Sequence, residues 1–407
     1  MPGPRPTIAD LLRRQQRWAR ERGRWWSPLR LPVADTETNE GEAARAGLVE
    51  IADFGPNPGA LRMLACLPKG LPTGVPLVVV LHGCTQSAAA FDRACGWSDL
   101  ATRFGFALLL PEQRRVNNPK CCFNWFAAGD TRRDAGEALS IRRMIERMVA
   151  GHALDPGRIY IAGLSAGGAM AAAMLAVYPE IFAGGAVIGG VPYGAATNAR
   201  QARPAMAGRL DNRPAGGWGD AVRAASPHRG SWPRVSVWHG DADRSVHPVN
   251  TERLVEQWTD LHGVAGQPAL EERDGGHLRR VWHGPDGKAL VEAHTIAGMA
   301  HGAPIHAGVG PGRCGVAGPA TLNVGVSSTH AIVEFWGLAP RSDAAAASTS
   351  PCTPNLVHNS ARLGWLFGPL DRVGSSSSTT CARSAGQRFV HAVTITILTS
   401  CKLLLAV

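Results

Sequence analysis

The nine cysteines, at 66, 84, 95, 121, 122, 314, 352, 381 and 401, include no Cys-x-x-Cys pair, and none stands with histidine at zinc spacing. The common structural-zinc frameworks are therefore excluded, and neither metal nor cofactor is expected. The odd count leaves at least one thiol unpaired, while Cys84, Cys95, Cys121 and Cys122 lie close enough along the chain to pair in an oxidising compartment. Residues 1–30 carry Arg13, Arg14, Arg17, Arg20, Arg22, Arg24 and Arg30 but no apolar run, so they do not read as a Sec-type signal peptide. A cytoplasmic or granule-associated protein is the expectation, with an extracellular one still open. Acidic residues are the scarcer charge, 32 against 42 basic, for a net charge of +10. Such a surplus favours anionic surfaces. Because the arginines are spread along the chain, it reads as a background bias, and no nucleic-acid partner is expected.

With 407 residues and 45% hydrophobic composition, the chain has enough material for one large core. Three regions are expected. Residues 1–47 form a basic arm with a helix from about Thr7, in which Ile8, Leu11, Leu12 and Trp18 share a face. Such a helix fits packing on the body, a frayed basic arm, or lying on a membrane or polymer granule. Residues 48–338 alternate β-rich runs with helical stretches, the pattern of a mostly parallel sheet covered by helices on both faces. Strands are predicted at Leu77–Leu81, Phe106–Leu110, Arg158–Ala162, Ala186–Ile188 and Val235–Trp238, with helices at Ala88–Arg103, Asp134–Ala150, Gly167–Tyr178 and Val249–His262. Pro285-Asp286-Gly287 predicts a hairpin tip joining Leu278–His283 to Lys288–Ile296 near the sheet's end. The Gly/Pro/Arg-rich residues 192–232, between two core strands, read as a cap or insertion over the site. Residues 339–407 turn to Ala, Ser, Thr and Pro and are expected to be disordered. The last 19 residues, from Phe389, are long enough to span a membrane, but an unstructured terminus is expected instead.

The chemistry centres on Gly163-Leu164-Ser165-Ala166-Gly167, which follows the strand RIYIA and opens a helix of small residues. With 48 glycines in the chain, a bare G-x-S-x-G arises by chance at roughly 0.3 per chain, so context must carry it. Strand before and helix after are the context of a nucleophile elbow, where glycines flank the serine because the turn is too tight for side chains. A serine hydroxyl needs a base, and the base needs an orienting carboxylate. In this fold the order is Ser, acid, His. The strand RVSVWHG ends in Gly240-Asp241-Ala242-Asp243, and Asp243 is the expected acid, with Asp241 as a turn-capping residue. His301, in GMAHG after the hairpin, is the expected base ahead of His294, His306 and His330. Two backbone donors must face the oxyanion. Ala166 supplies one, and Cys84, in the His82-Gly83-Cys84 turn after LVVVL, the other.

The motifs LHGCTQ (81–86), PEQ (111–113), CFNWF (122–126), GEALSI (136–141), GLSAGGAM (163–170), PYG (192–194), WHGDAD (238–243) and GMAHG (298–302) together resemble the polyhydroxybutyrate depolymerase family of esterases, with its feruloyl and acetylxylan esterase relatives. The resemblance covers about residues 48–338. It implies an α/β-hydrolase fold, the triad Ser165, Asp243 and His301, and an oxyanion hole from the Cys84 and Ala166 amides. It further implies that Trp125, with Gln86 and Asn124, lines the substrate groove, and that Cys84 and Cys122 form a bridge. Hydrolysis of short-chain hydroxyalkanoate esters through an acyl-enzyme is the implied reaction. A feruloyl or acetylxylan-type esterase is the alternative; a granule-surface binding protein with a vestigial hydrolase body is the alternative of another class. The family pattern is broken at Ala303-Pro304-Ile305, where many relatives carry a Trp/Ser/Gly-rich loop.

Overall fold

Short apolar runs without period are what strands need when both faces of a sheet are covered. In a computed structural model, which describes residues 47–209, 213–214 and 216–340, these runs become the buried middle of a mixed sheet. The expected N-terminal helix, the low-complexity tail from 341 and the apolar last 19 residues lie outside the described residues.

Strands β1 (Val49–Glu50), β2 (Arg62–Cys66), β3 (Leu77–Leu81), β4 (Ala107–Glu112), β5 (Ile159–Leu164), β6 (Gly184–Ile188), β7 (Arg234–Gly240), β8 (Leu270–Asp274), β9 (His277–His283) and β10 (Ala289–Ile296) stand in the order β1-β2-β4-β3-β5-β6-β7-β10-β9-β8. From β4 to β10 every neighbour pair is parallel, and the pairs at both edges are antiparallel. Every residue of LVVVL is buried. Leu77, Val79 and Leu81 pack one way with Met144, Met148 and Met174. Val78 and Val80 pack the other way with Phe91, Trp97 and Trp336. Two apolar layers sandwich the sheet, as expected.

The helices are α1 (Ala88–Cys95), α2 (Trp97–Phe104), α3 (Ala128–Thr131), α4 (Gly136–His152), α5 (Ala166–Val177), α6 (Ala199–Met206), α7 (Gly217–Arg223), α8 (Val249–His262) and α9 (Ser328–Trp336). The single helix predicted over 88–103 is two. Gly96 interrupts it at φ +73°, pressed so close to the 314–315 backbone that an added Cβ would lie 2.6 Å from Gly315 N. Strand β8 had no signal in the sequence because LEERD is exposed throughout and buries no alternate face. The hairpin β9/β10 forms as predicted. The 192–232 segment carries α6 and α7 and is tied to α8, where Gln257 Nε2 donates to the carbonyls of Tyr193 and Trp218.

Sheet order places the site. Strands β4 and β5 flank β3, so the chain leaves β3 in one direction and returns on the other side, opening a crevice at the strands' carboxyl ends. Leu81 is in register with Gly163 across β3 and β5, so the Gly83–Cys84 turn emerges beside Ser165. Ile296 is in register with Gly240, so the loops carrying His301 and Asp243 also emerge together.

Candidate active site

Ser165 stands between β5 and α5 at φ 57°, ψ −116°, a conformation a non-glycine residue adopts only where surroundings enforce it. The flanking glycines explain the enforcement. A Cβ on Gly163 would strike the Gly167 carbonyl, and one on Gly167 would strike the Leu81 carbonyl of the adjacent strand. The elbow is thus wedged against β3, and the Ser165 amide is tied to Ile188 O of β6 at 2.8 Å.

Ser165 Oγ lies 2.9 Å from His301 Nε2, and His301 Nδ1 lies 2.6 Å from Asp243 Oδ2. The three residues expected from chain order and context therefore meet in one hydrogen-bonded line. Gly189 forms the floor, since a Cβ there would stand 3.3 Å from His301 Cε1. Asp243 Oδ1 accepts the amides of Ser245 and Val246 at 2.8 and 2.9 Å. Burial would raise this carboxyl, but the hydrogen bonds from His239, His301 and the Val246 amide hold it well below the usual carboxylate range. It stays ionised and keeps the His301 proton on Nδ1, leaving Nε2 as the base toward Ser165. Asp241 takes the capping role. Its Oδ1 accepts the Gly298 amide at 2.6 Å, while Asp241 N and Ala242 N donate to Ile296 O and Met299 O. Acid loop and base loop are sewn together. His294 instead stacks on Trp238 at 3.6 Å, and His330 pairs with Glu334 inside α9.

The expected oxyanion donors sit where the register brings β3 and β5 out. Ala166 opens α5, where first-turn amides have no helical acceptor. In the β3 turn, Thr85 N donates to Lys120 O and Gln86 N to Gly83 O, and the Cys84 amide takes no part in that pattern. A disulfide joins Cys84 to Cys122, so the pair implied by the family resemblance is bridged.

The groove residues divide. Half-buried Trp125 packs against the cluster of Ala169, Val191 and Val246, as do Ala195 and Met206, forming an apolar wall of residues from the nucleophile helix, the β6 exit, the acid loop and the insertion. Gln86 serves the turn itself, its Oε1 accepting the Gly83 amide at 2.8 Å. Asn124 is buried, its Nδ2 donating to Glu137 at 2.6 Å and its Oδ1 accepting from Asn118, so both ends of its amide have internal partners.

Glu137 is a buried hub to which sequence reasoning gave no role, although GEALSI was among the motifs noted. Fully buried, it accepts Gln113 Nε2, Asn124 Nδ2 and the Asn124 amide. Burial and the neighbouring Asp130 carboxylate push its carboxyl well above the usual range. Through Gln113, which also holds Cys122 O and whose amide donates to His82 Nε2, this hub fixes both the bridge and the oxyanion turn. Its only sequence signal was a glutamate on the inward face of α4.

Such a site can perform acyl transfer by a serine, with no metal cluster of three or more candidate ligands among the described residues. Residues 63–280 match the family described as Esterase PHB depolymerase. The chain is 44% identical over 292 residues to poly(3-hydroxyalkanoate) depolymerase C of Paucimonas lemoignei, covering 72% of this chain and 70% of that one. It is 31% identical over 267 residues to feruloyl esterase B of Neurospora crassa, covering 64% and 90%. The acetyl xylan esterase from Aspergillus awamori shares the fold at TM-score 0.61 and 21% identity, over 72% of this chain and 99% of that one. With that fold, that triad and those relatives, the chain belongs to the PHB depolymerase family of esterases and is a carboxylic ester hydrolase.

Proposed function

We propose that this esterase cleaves the ester bonds of short-chain poly- or oligo-3-hydroxyalkanoates. The observation that carries the reading is the 44% identity to a poly(3-hydroxyalkanoate) depolymerase, well above the identity to the feruloyl esterase. The apolar wall around Trp125 supports it, since a flat indole beside small aliphatic groups suits a methyl-branched acyl chain without charge.

Ser165 Oγ attacks the ester carbonyl as His301 Nε2 takes its proton, and the Cys84 and Ala166 amides receive the developing oxyanion. Collapse expels the alcohol oxygen, which takes the proton back from His301, leaving an acyl-enzyme on Ser165. Water then attacks the acyl carbon with His301 again as base, releasing the hydroxy acid and restoring the serine. Asp243 remains ionised throughout.

Purified enzyme assayed on p-nitrophenyl butyrate, 3-hydroxybutyrate oligomers, amorphous polymer and methyl ferulate tests the reading. Highest kcat/KM on the oligomers or polymer is expected, and preference for methyl ferulate would replace it with the feruloyl alternative. Ser165→Ala should abolish all four activities; activity equal to wild type would overturn the serine mechanism. Granule contact through the arginine-rich N-terminal segment belongs to the same proposal. Deleting residues 1–30 should weaken sedimentation with polymer granules at low salt, and unchanged partitioning would remove that role. The Cys84–Cys122 bridge supports work in an oxidising compartment over the cytoplasmic location expected from residues 1–30. Thiol trapping in intact cells tests this, and a fully reduced pair would favour the cytoplasm.

A further inference from the structure

His239 is the penultimate residue of β7, fully buried, and directly beneath the catalytic carboxylate. Its Nε2 lies 2.9 Å from Val246 O and 3.1 Å from Asp243 Oδ2. Both neighbours are acceptors only, so the ring must carry its proton on Nε2 to satisfy either. Nδ1 is buried and has no hydrogen-bond partner among the described residues, which fits the unprotonated nitrogen of a neutral imidazole.

We infer that His239 is a positioning residue for the triad, acting through Asp243 as a buried donor in its Nε2–H form. Asp243 then has N–H groups on both oxygens. Ser245 N and Val246 N hold Oδ1, and His301 and His239 share Oδ2. The backbone donors fix where the carboxylate sits. They leave it free to tilt Oδ2 about the Oδ1 anchor, and His239 removes that freedom from below. Its second contact, with Val246 O, ties the ring to the same loop whose amide holds Oδ1, so strand, loop and carboxylate form one closed unit. The donor also draws charge from Oδ2, which lessens the pull of Asp243 on the His301 proton.

Two consequences follow that a filler side chain would not produce. Loss of the donor should reduce the rate of the chemical step far more than substrate binding, because the His239 ring is buried and meets the groove wall only through the Val246 carbonyl. It should also move the protonation of His301 upward. The titratable groups facing the pair are His239 from β7 and His301 from its own loop, with Asp241, Arg244 and His247 lining the cavity beside Asp243. A change at 239 leaves Asp241, Arg244 and His247 in place.

His239→Phe keeps the ring and removes the donor, whereas His239→Gln places an amide N–H near the position of Nε2. On p-nitrophenyl butyrate, His239→Phe should lose about 10- to 100-fold in kcat with KM within about twofold, the scale expected when a catalytic group is slightly misplaced. The acid limb of its kcat/KM profile should move to higher pH. His239→Gln should recover most of kcat. Wild-type kinetics in a folded His239→Phe, or equal impairment in both variants, would overturn the inference. If His239→Phe fails to fold, 15N-histidine NMR of the wild-type enzyme decides. A neutral His239 protonated at Nε2 supports the role, and a proton on Nδ1 refutes it.

Discussion

Replacing Asp243 by Asn changes one atom and should cost nearly all activity, for a reason the hydrogen bonds specify. Oδ1 accepts two backbone amides, so an Asn side chain must leave its carbonyl oxygen there; turning it over would set an NH2 against the Ser245 and Val246 N–H groups. Its NH2 then faces His301 Nδ1, which must present a lone pair and move its proton to Nε2. That nitrogen is 2.9 Å from Ser165 Oγ, so the base is occupied by a proton when the nucleophile needs it free. A forced tautomer of this kind lowers kcat by about four orders of magnitude, roughly 5.5 kcal/mol on the barrier. Acid titration does not confuse the measurement. The folded pKa of Asp243 is depressed, so its stabilising contribution is present above the unfolded value of about 3.9 and fades only as pH falls toward the depressed one. Between pH 6 and 9 the wild-type carboxylate is fully ionised. The assay is kcat on p-nitrophenyl butyrate over that range, with the thermal midpoint as a check on folding. A folded Asp243→Asn enzyme within tenfold of wild type would refute the tautomer argument.

Reducing the Cys84–Cys122 bridge releases a loop of sequence separation 38, worth about 4 kcal/mol in unfolded-chain entropy, and frees the turn bearing the Cys84 amide. Denaturant midpoint and kcat should both fall in dithiothreitol; an unchanged kcat would show that the turn is held by His82, Gln86 and Gln113 alone. Asp92 lies buried between α1 and α2, where burial pushes its carboxyl up to about 6 against hydrogen bonds from Ser98. A raised acid contributes its stability below the unfolded pKa and loses it as pH rises through 6. Asp92→Asn should therefore gain on wild type as pH rises from 4 to 6, by about 3 kcal/mol relative to its difference at pH 4, with no further change above it, and thermal midpoints that differ equally at all pH values would contradict this.

How much of this was legible in the sequence depends on whether the signal was local. Ser165, Asp243 and His301 each follow a strand readable in the sequence, and the fold dictates their order, so all three were expected without coordinates, and the structure brings them within hydrogen-bonding distance. Val249–His262 was predicted residue for residue because its apolar periodicity and its closing glycine coincide. The break at Gly96 depends on Cys314 and Gly315, more than two hundred residues away, and no window around Ala88–Arg103 contains them. Asn124 stands beside Trp125 in the chain, but the buried carboxylate that turns it inward comes from α4.

The sequence by itself determined the parallel sheet and the family, and it singled out Ser165, Asp243 and His301 as the candidate triad. Those features are written in motif spacing and in the periodicity of burial. Only the tertiary structure decided what surrounds them. The register of β3 against β5 sets the oxyanion turn beside Ser165, the register of β7 against β10 lets Asp241 lock the His301 loop, and a buried Glu137 and His239 hold the two halves. These are partnerships between distant residues, and their energy comes from groups satisfied only when the whole sheet has closed around them.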